Sequence, residues 1–303
     1  YKGDIATTTN YFGAVNNVIV GVGDKLTVRI DTIGVHEYEV SVYNYHRTWI
    51  IIGTIALFLI TLVVIGGKQG FKAVVGLIFT ILCIVFILVP LCLKGYSSVL
   101  ITCLVILITN VACYALIGGI QIKTVTACMG SMCGVLVAAI LAYLAQQLTG
   151  LTTFQMDEAE ALLLVKAEYP LQMRGLFISG ILIASMGAVM DIAMDIASSL
   201  DELHKHKPEL TSRELFKSGM NIGRDAMGTM ANTLVLAFAG TSLNMMILIY
   251  SYGVSFNQLI NTDFVAIEII RAVAGSMGIV LTVPFVAAIS AGAYHRKKET
   301  KRN

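Results

Sequence analysis

Charge is what this sequence has least of. Only 13% of its 303 residues are Asp, Glu, Lys or Arg, about half the roughly 25% that a soluble domain carries. The formal net charge is +2, and no Lys/Arg stripe with interleaved aromatics runs through the chain. Neither the balance nor its layout suits nucleic acid, so no nucleic-acid partner is expected. A glycine-rich P-loop is missing as well, which argues against ATP-driven work within this chain. CxxC pairs are absent. Cys83, Cys92, Cys103, Cys113, Cys128 and Cys133 all fall inside apolar runs and read as small packing residues. His204 and His206 lie in a charged loop and read as solvated. No metal or other cofactor is therefore expected.

What the chain has in abundance is apolar length. Hydrophobic residues make up 56% of it, mean hydropathy is +0.79, and long uncharged stretches alternate with compact polar ones. A spanning helix needs roughly 20 mostly apolar residues to cross about 30 Å of hydrocarbon. Seven segments qualify: 48–66, 72–93, 96–118, 122–148, 174–199, 226–250 and 265–292. Pro90 and Pro284 fall near the ends of their segments, where a missing backbone donor costs least. The fold class read from this pattern is an all-α polytopic membrane protein of about seven transmembrane helices, with a lipid bilayer as its first partner. Basic residues set its orientation. The tail 294–303 holds Arg296, Lys297, Lys298, Lys301 and Arg302 and is expected in the cytoplasm. Counting back places Lys68, Lys72, Lys123 and the loop 200–225 inside too, and puts the acidic run Asp157–Glu160 outside.

Residues 1–47 differ in kind. Val18–Val20 and Leu26–Ile30 are short β-type runs separated by Gly21, Gly23 and Asp24. Val35–Val42 partly alternates apolar and polar, as a half-buried strand does. Three such strands are marginal alone. The chain starts at Tyr1 without an initiating methionine, and this segment reads as part of an extracytoplasmic β domain that begins further upstream, behind a signal anchor or another helix. The expected organisation is thus a partial β domain (1–47), a membrane domain (48–293) and a cytoplasmic tail (294–303).

Ionisable residues at membrane depth are costly, and usually face a bundle interior, a partner charge or a water path. In the fifth segment Asp191 and Asp195 stand four apart on one helix face. Asp191 lies within two turns of the midplane, and a carboxylate there is suited to binding and releasing a proton or cation. Asp195 lies one turn nearer the inner surface. Glu268 and Arg271 share a face near the outer end of the seventh segment and suit mutual pairing, some 20 Å above Asp191 by helical rise. Arg224 and Asp225 open the sixth segment at a depth near Asp195, where an Asp195–Arg224 pair is sterically feasible.

Small residues gather in the same helices: Gly180, Ala184 and Gly187 in the fifth, Ala274, Gly275 and Gly278 in the seventh. Such surfaces let backbones approach closely. Segments two and three are Leu/Ile/Val-rich and read as lipid-facing, leaving segments four to seven as the core. Residues 155–169 suit a short amphipathic helix on the outer surface. Thr211-Ser212-Arg213-Glu214 has the form of a capping box opening an inner-surface helix that runs into segment six.

Two runs carry a family likeness. Gly180 to Leu203, containing GAVMDIAMDIASSLDEL, and Ser218 to Thr241, containing SGMNIGRDAMGTMANT, resemble the YibE/F family of bacterial membrane proteins. The resemblance implies a multi-spanning protein of the bacterial plasma membrane, with a paralogous YibE/F-type chain or another copy of itself as partner. Gly187-x-x-x-Asp191 followed by Asp201-Glu202-Leu203 is also similar to the SecD/SecF and RND-type transporter core, which implies proton coupling at Asp191. The chain departs from that core in lacking a large soluble domain and a second half-transporter. Three classes of function follow: a secondary transporter or proton- or cation-coupled export component, a structural or regulatory subunit of a membrane complex, and an intramembrane aspartyl protease. The last needs two catalytic aspartates on different helices, and the chain is expected not to be an enzyme.

Overall fold

A computed structural model describes residues 7–10, 18–32, 38–156, 159–173 and 175–302, with side chains as far as His295. The chain divides into two compact units, Tyr1–Phe71 and Lys72–Asn303.

In the first unit, β1 (Leu26–Thr32) and β2 (Tyr38–Tyr45) form an antiparallel ribbon. Ile30 pairs with Val40 and Val28 with Val42, and a register irregularity falls between Thr27 and Val28. Val18–Val20 forms no strand, so two of the three expected strands are found among the described residues. The chain turns directly after it: Asp24 N donates to the Gly21 carbonyl, and Gly21 N donates to Asp24 Oδ2 at 2.7 Å. The start of the third expected strand, residues 35–37, lies outside the described residues.

A long helix, α1 (Thr48–Cys83), follows and is interrupted at Gly67, whose φ is +54°. Side chains rarely adopt that conformation. Gly70 passes so near the Leu62 carbonyl that an added Cβ would lie 2.1 Å from its oxygen. Glycine is required on both counts. Beyond α1 the helical path passes through a π turn, Ile84–Leu88, into α2 (Val89–Leu93). Pro90 lacks an N–H and crowds the preceding turn, a recognised cause of helix irregularity.

The second unit continues with α3 (Ser98–Gly118), α4 (Ile122–Thr149), α5 (Ala159–Glu168), α6 (Leu176–His206), α7 (Ser212–Thr241), α8 (Leu243–Ser251), α9 (Phe256–Ile260) and α10 (Asp263–Arg302). Thr211 caps α7 as its sequence suggests: Thr211 N donates to Glu214 Oε2 at 2.8 Å, and Glu214 N donates to Thr211 Oγ1 at 3.3 Å. The stretch 155–169 contains α5, but its Leu162, Leu163 and Leu164 run consecutively around the helix, so the expected apolar face is not formed. Segment six differs from expectation, because α7 ends at Thr241 and α8 leaves it at 59°. The Thr241 hydroxyl bonds back to the Phe238 carbonyl, and such local bonds compete with a continuing helix. Pro284 also differs, standing well inside α10 rather than near its end, and the tail after residue 294 continues that helix.

Five helical runs among the described residues are long and apolar enough to cross a membrane, or six if the bent α7–α8 pair is one span. The first two expected segments fall within one run of 46 residues, Thr48–Leu93.

α4, α6, α7 and α10 pack on one another and form the core. Glycines set the closest approaches. A Cβ on Gly134 would fall 1.8 Å from Thr282 Oγ1 and 2.9 Å from the Gly278 carbonyl, and one on Gly130 would fall 2.2 Å from Val286 Cγ2. α3 joins this core more than its composition suggests. Thr102, Thr109, Asn110 and Tyr114 on one of its faces are buried, so only its other face is left exposed.

Candidate functional site

On α6, Ile192, Ala193, Ile196, Ala197 and Leu200 are fully buried and mark the side that faces the core. Gly180, Ala184, Gly187, Asp191 and Asp195 are exposed. Their spacing of three or four residues draws one stripe along the helix. Both aspartates therefore share a face, as their spacing requires, but that face looks out of the bundle. Of the settings expected for an ionisable residue at depth, Asp191 thus has neither the bundle interior nor a partner charge among the described residues. The inward positions of α6 belong instead to the apolar core. Neither aspartate makes a hydrogen bond or ion pair among the described residues.

Packing of α7 on α6 fixes relative depth. A Cβ on Gly223 would meet Ile196 at 3.1 Å, and one on Gly219 would meet Leu200 at 3.0 Å. The helices run in opposite directions, so each step down α6 matches one step up α7. Asp195 then lies level with Arg224, and Asp191 level with Gly228. The expected Asp195–Arg224 pair is matched in depth but not formed within the chain. Successive helical residues point about 100° apart, which turns both side chains away from the Ile196–Gly223 contact. Arg224 and Asp225 are exposed on the outer side of α7. They sit in its fourth turn rather than at its start, because α7 begins at Ser212.

Glu268 and Arg271 do pair: Arg271 Nη1 lies 2.7 Å from Glu268 Oε1, and the guanidinium stands 6.0 Å from the centre of the Phe177 ring. Ser185 lies beside Gly275, which puts Arg271 level with Ile181, about 15 Å above Asp191 by helical rise. The pair is thus separate from the acidic stripe.

Two clusters escaped the sequence reading. Between α3, α4 and α6, the Asn110 amide donates to Ser131 Oγ at 3.3 Å, and the Tyr114 hydroxyl donates to the Met190 carbonyl at 3.1 Å. Ser131 and Asp191 lie within electrostatic reach of that hydroxyl. A buried polar patch thus backs onto the stripe beside Asp191. At the end of α6 nearest α7, the Tyr294 hydroxyl donates to Asp201 Oδ1 at 2.9 Å, and Lys205 Nζ lies 2.8 Å from Asp201 Oδ2. The His204 ring rests against Tyr294, with ring centres 4.8 Å apart. A tyrosine two positions past the seventh apolar segment (265–292) was the only sequence signal for this clamp. Among the described residues no three His, Cys, Asp or Glu side chains are placed to hold a metal ion.

The family model for YibE/F-like proteins matches residues 54–296, from the first half of α1 to the last turns of α10. The chain belongs to the YibE/F family. The match takes in both aspartates of the stripe, the α7 face and the Glu268–Arg271 pair. No curated protein and no solved structure matches the chain, and the likeness to SecD/SecF is not shown by these comparisons. Family membership and the apolar helices make this YibE/F-like chain an integral membrane protein.

Proposed function

We propose that this YibE/F-like protein is a proton- or cation-coupled transport component of the bacterial plasma membrane, with Asp191 as the protonatable site and Asp195 as its neighbour toward the cytoplasm. One observation carries the reading: two unpaired carboxylates stand one turn apart on the open face of a membrane helix. A charged aspartate at the centre of a membrane helix costs about 2.5–3.5 kcal/mol, and protonation or a bound cation removes much of that cost. Asp191 therefore binds a proton or cation more readily at depth than at the wet end of the helix.

The reading takes the membrane topology as seven crossings. Thr48–Leu93 would measure about 69 Å as straight helix, more than twice the hydrocarbon thickness, and the break at Gly67 divides it into two spans. The bent α7–α8 pair counts as one more. Basic residues then place the C-terminus in the cytoplasm and the β segment outside it.

A second reading, a structural or regulatory subunit without transport, is favoured by the uncharged polar side chains that α7 exposes, Asn221, Thr229 and Asn232. These need a helix partner and no titration. Proton flux into liposomes, followed with a trapped pH dye under an imposed potential, separates the two. Flux in the wild type that is lost in Asp191→Asn, with folding and assembly unchanged, supports the transport reading. No flux from well-folded protein, alone or with its paralogue, overturns it in favour of the second.

A further inference from the structure

We infer that the open faces of α6 and α7 are the two halves of an interface between copies of this chain, in which the α6 stripe of one copy lies against α7 of the next and Asp195 pairs with Arg224 of the partner subunit. The inference rests on the membrane-embedded reading above, though not on proton coupling.

The stripe has the properties of a helix contact with nothing yet in it. A Cβ added to Gly180 or Gly187 would meet no atom within 4 Å, and the same holds for Gly228 on α7. Rows of small residues are how membrane helices come close. Lipid is a poor occupant, because the row leads into Asp191 and Asp195.

The depth register selects the occupant. Copies inserted the same way share one depth scale, so any two of them meet level for level. Asp195 lies level with Arg224, an acid against a base. Asp191 lies level with Gly228, and Gly187 level with Asn232, so a larger side chain faces a glycine at each of these levels. All six residues are exposed. Pairing α6 with α6 would instead set Asp191 and Asp195 against themselves, and pairing α7 with α7 would oppose Arg224 to Arg224. Charge thus favours α6 against α7. Within one copy Asp195 and Arg224 turn away from the α6–α7 contact, so the partner copy supplies the missing base. The contact joins two different surfaces, and such an interface closes into a ring or continues from copy to copy.

The test uses the full chain in liposomes, with differently tagged copies mixed before reconstitution. A single-cysteine exchange at each position, Asp195→Cys in one copy and Arg224→Cys in the other, is expected to give an inter-copy disulfide on mild oxidation, above the background of the wild type with its six native cysteines. Asp195→Arg alone is expected to lower the associated fraction, counted by single-molecule fluorescence, about tenfold or more, as loss of a desolvated charge pair does. The exchange Asp195→Arg with Arg224→Asp in one chain is expected to restore it, which also shows that the variants fold. Wild-type protein that stays monomeric across lipid-to-protein ratios overturns the inference, as does association indifferent to both exchanges. Association seen solely with a co-expressed paralogue overturns it too. Loss of flux in Asp191→Asn with association intact bears on the transport reading alone, and intact flux from monomers removes the interface alone.

Discussion

Gly134 and Gly187 sit in comparable settings, each on a long apolar helix in a row of small residues three or four positions apart, yet their surroundings are opposite. Around Gly134 the space is so full that a methyl group would collide with Thr282 and with the Gly278 backbone. Around Gly187 nothing stands within reach of a methyl group. The first row is a finished seam between α4 and α10, and the second is an open one. A row of small residues is therefore found both in a closed helix contact and on an open face, and its neighbours decide which.

The sharpest way to break this comparison is to fill both rows. Gly134→Val is expected to destabilise the bundle by about 3 kcal/mol or more, since a packed core tolerates little added volume. The effect should register as loss of the folded fraction in denaturant titration of the micelle-embedded protein. Gly223→Val should follow at about 2 kcal/mol, because its Cβ would fall 2.1 Å from Cγ1 of Val283, a fully buried β-branched side chain with little rotamer freedom. Tyr294→Phe removes the hydroxyl that donates to Asp201. It should cost about 1.5 kcal/mol, the lower range for a bond to a charged group, and a similar titration checks it. Thr211→Ala deletes the α7 cap and should cost about 1 kcal/mol, seen as earlier amide exchange in the first turn of α7. Smallest of all, Gly187→Ala should leave the fold of the single chain within about 0.5 kcal/mol of wild type, while reducing association between copies. A large loss of folding from Gly187→Ala would mean the open row is in fact closed.

Much of this was legible in the chain itself. Small residues in segments five and seven, with the Leu-rich segments two and three set aside, singled out the four helices that form the core, the capping box at Thr211 opened its helix, and the spacing of Asp191 and Asp195 put them on one face. The direction of that face was not legible. In water, polarity tells the outside of a helix from its inside, but Ile192 and Ile196 would be equally at home against lipid or against α7, so polarity says nothing here. For the same reason the Leu-rich α3 read as lipid-facing, although Asn110 and Tyr114 on it are buried. The break after Thr241 was hidden because no proline marks it. The second interruption, at Gly67, was visible as a glycine pair, though not as one continuous helical path.

The Asp201–Tyr294 clamp has a mechanical consequence. It ties the ends of two helices that run in the same direction, α6 and α10, while Ser185 and Gly275 abut further along. Two rods fastened at separate heights cannot slide past each other, so α6 and α10 turn or tilt as a single lever. α7 is fastened to α10 at two heights as well, by the bond from Ser212 Oγ to the Ala291 carbonyl near its start and by that from Ser276 Oγ to the Ala231 carbonyl further along. The three helices are thus laced into one block, and the bend after Thr241 is where α8 leaves it.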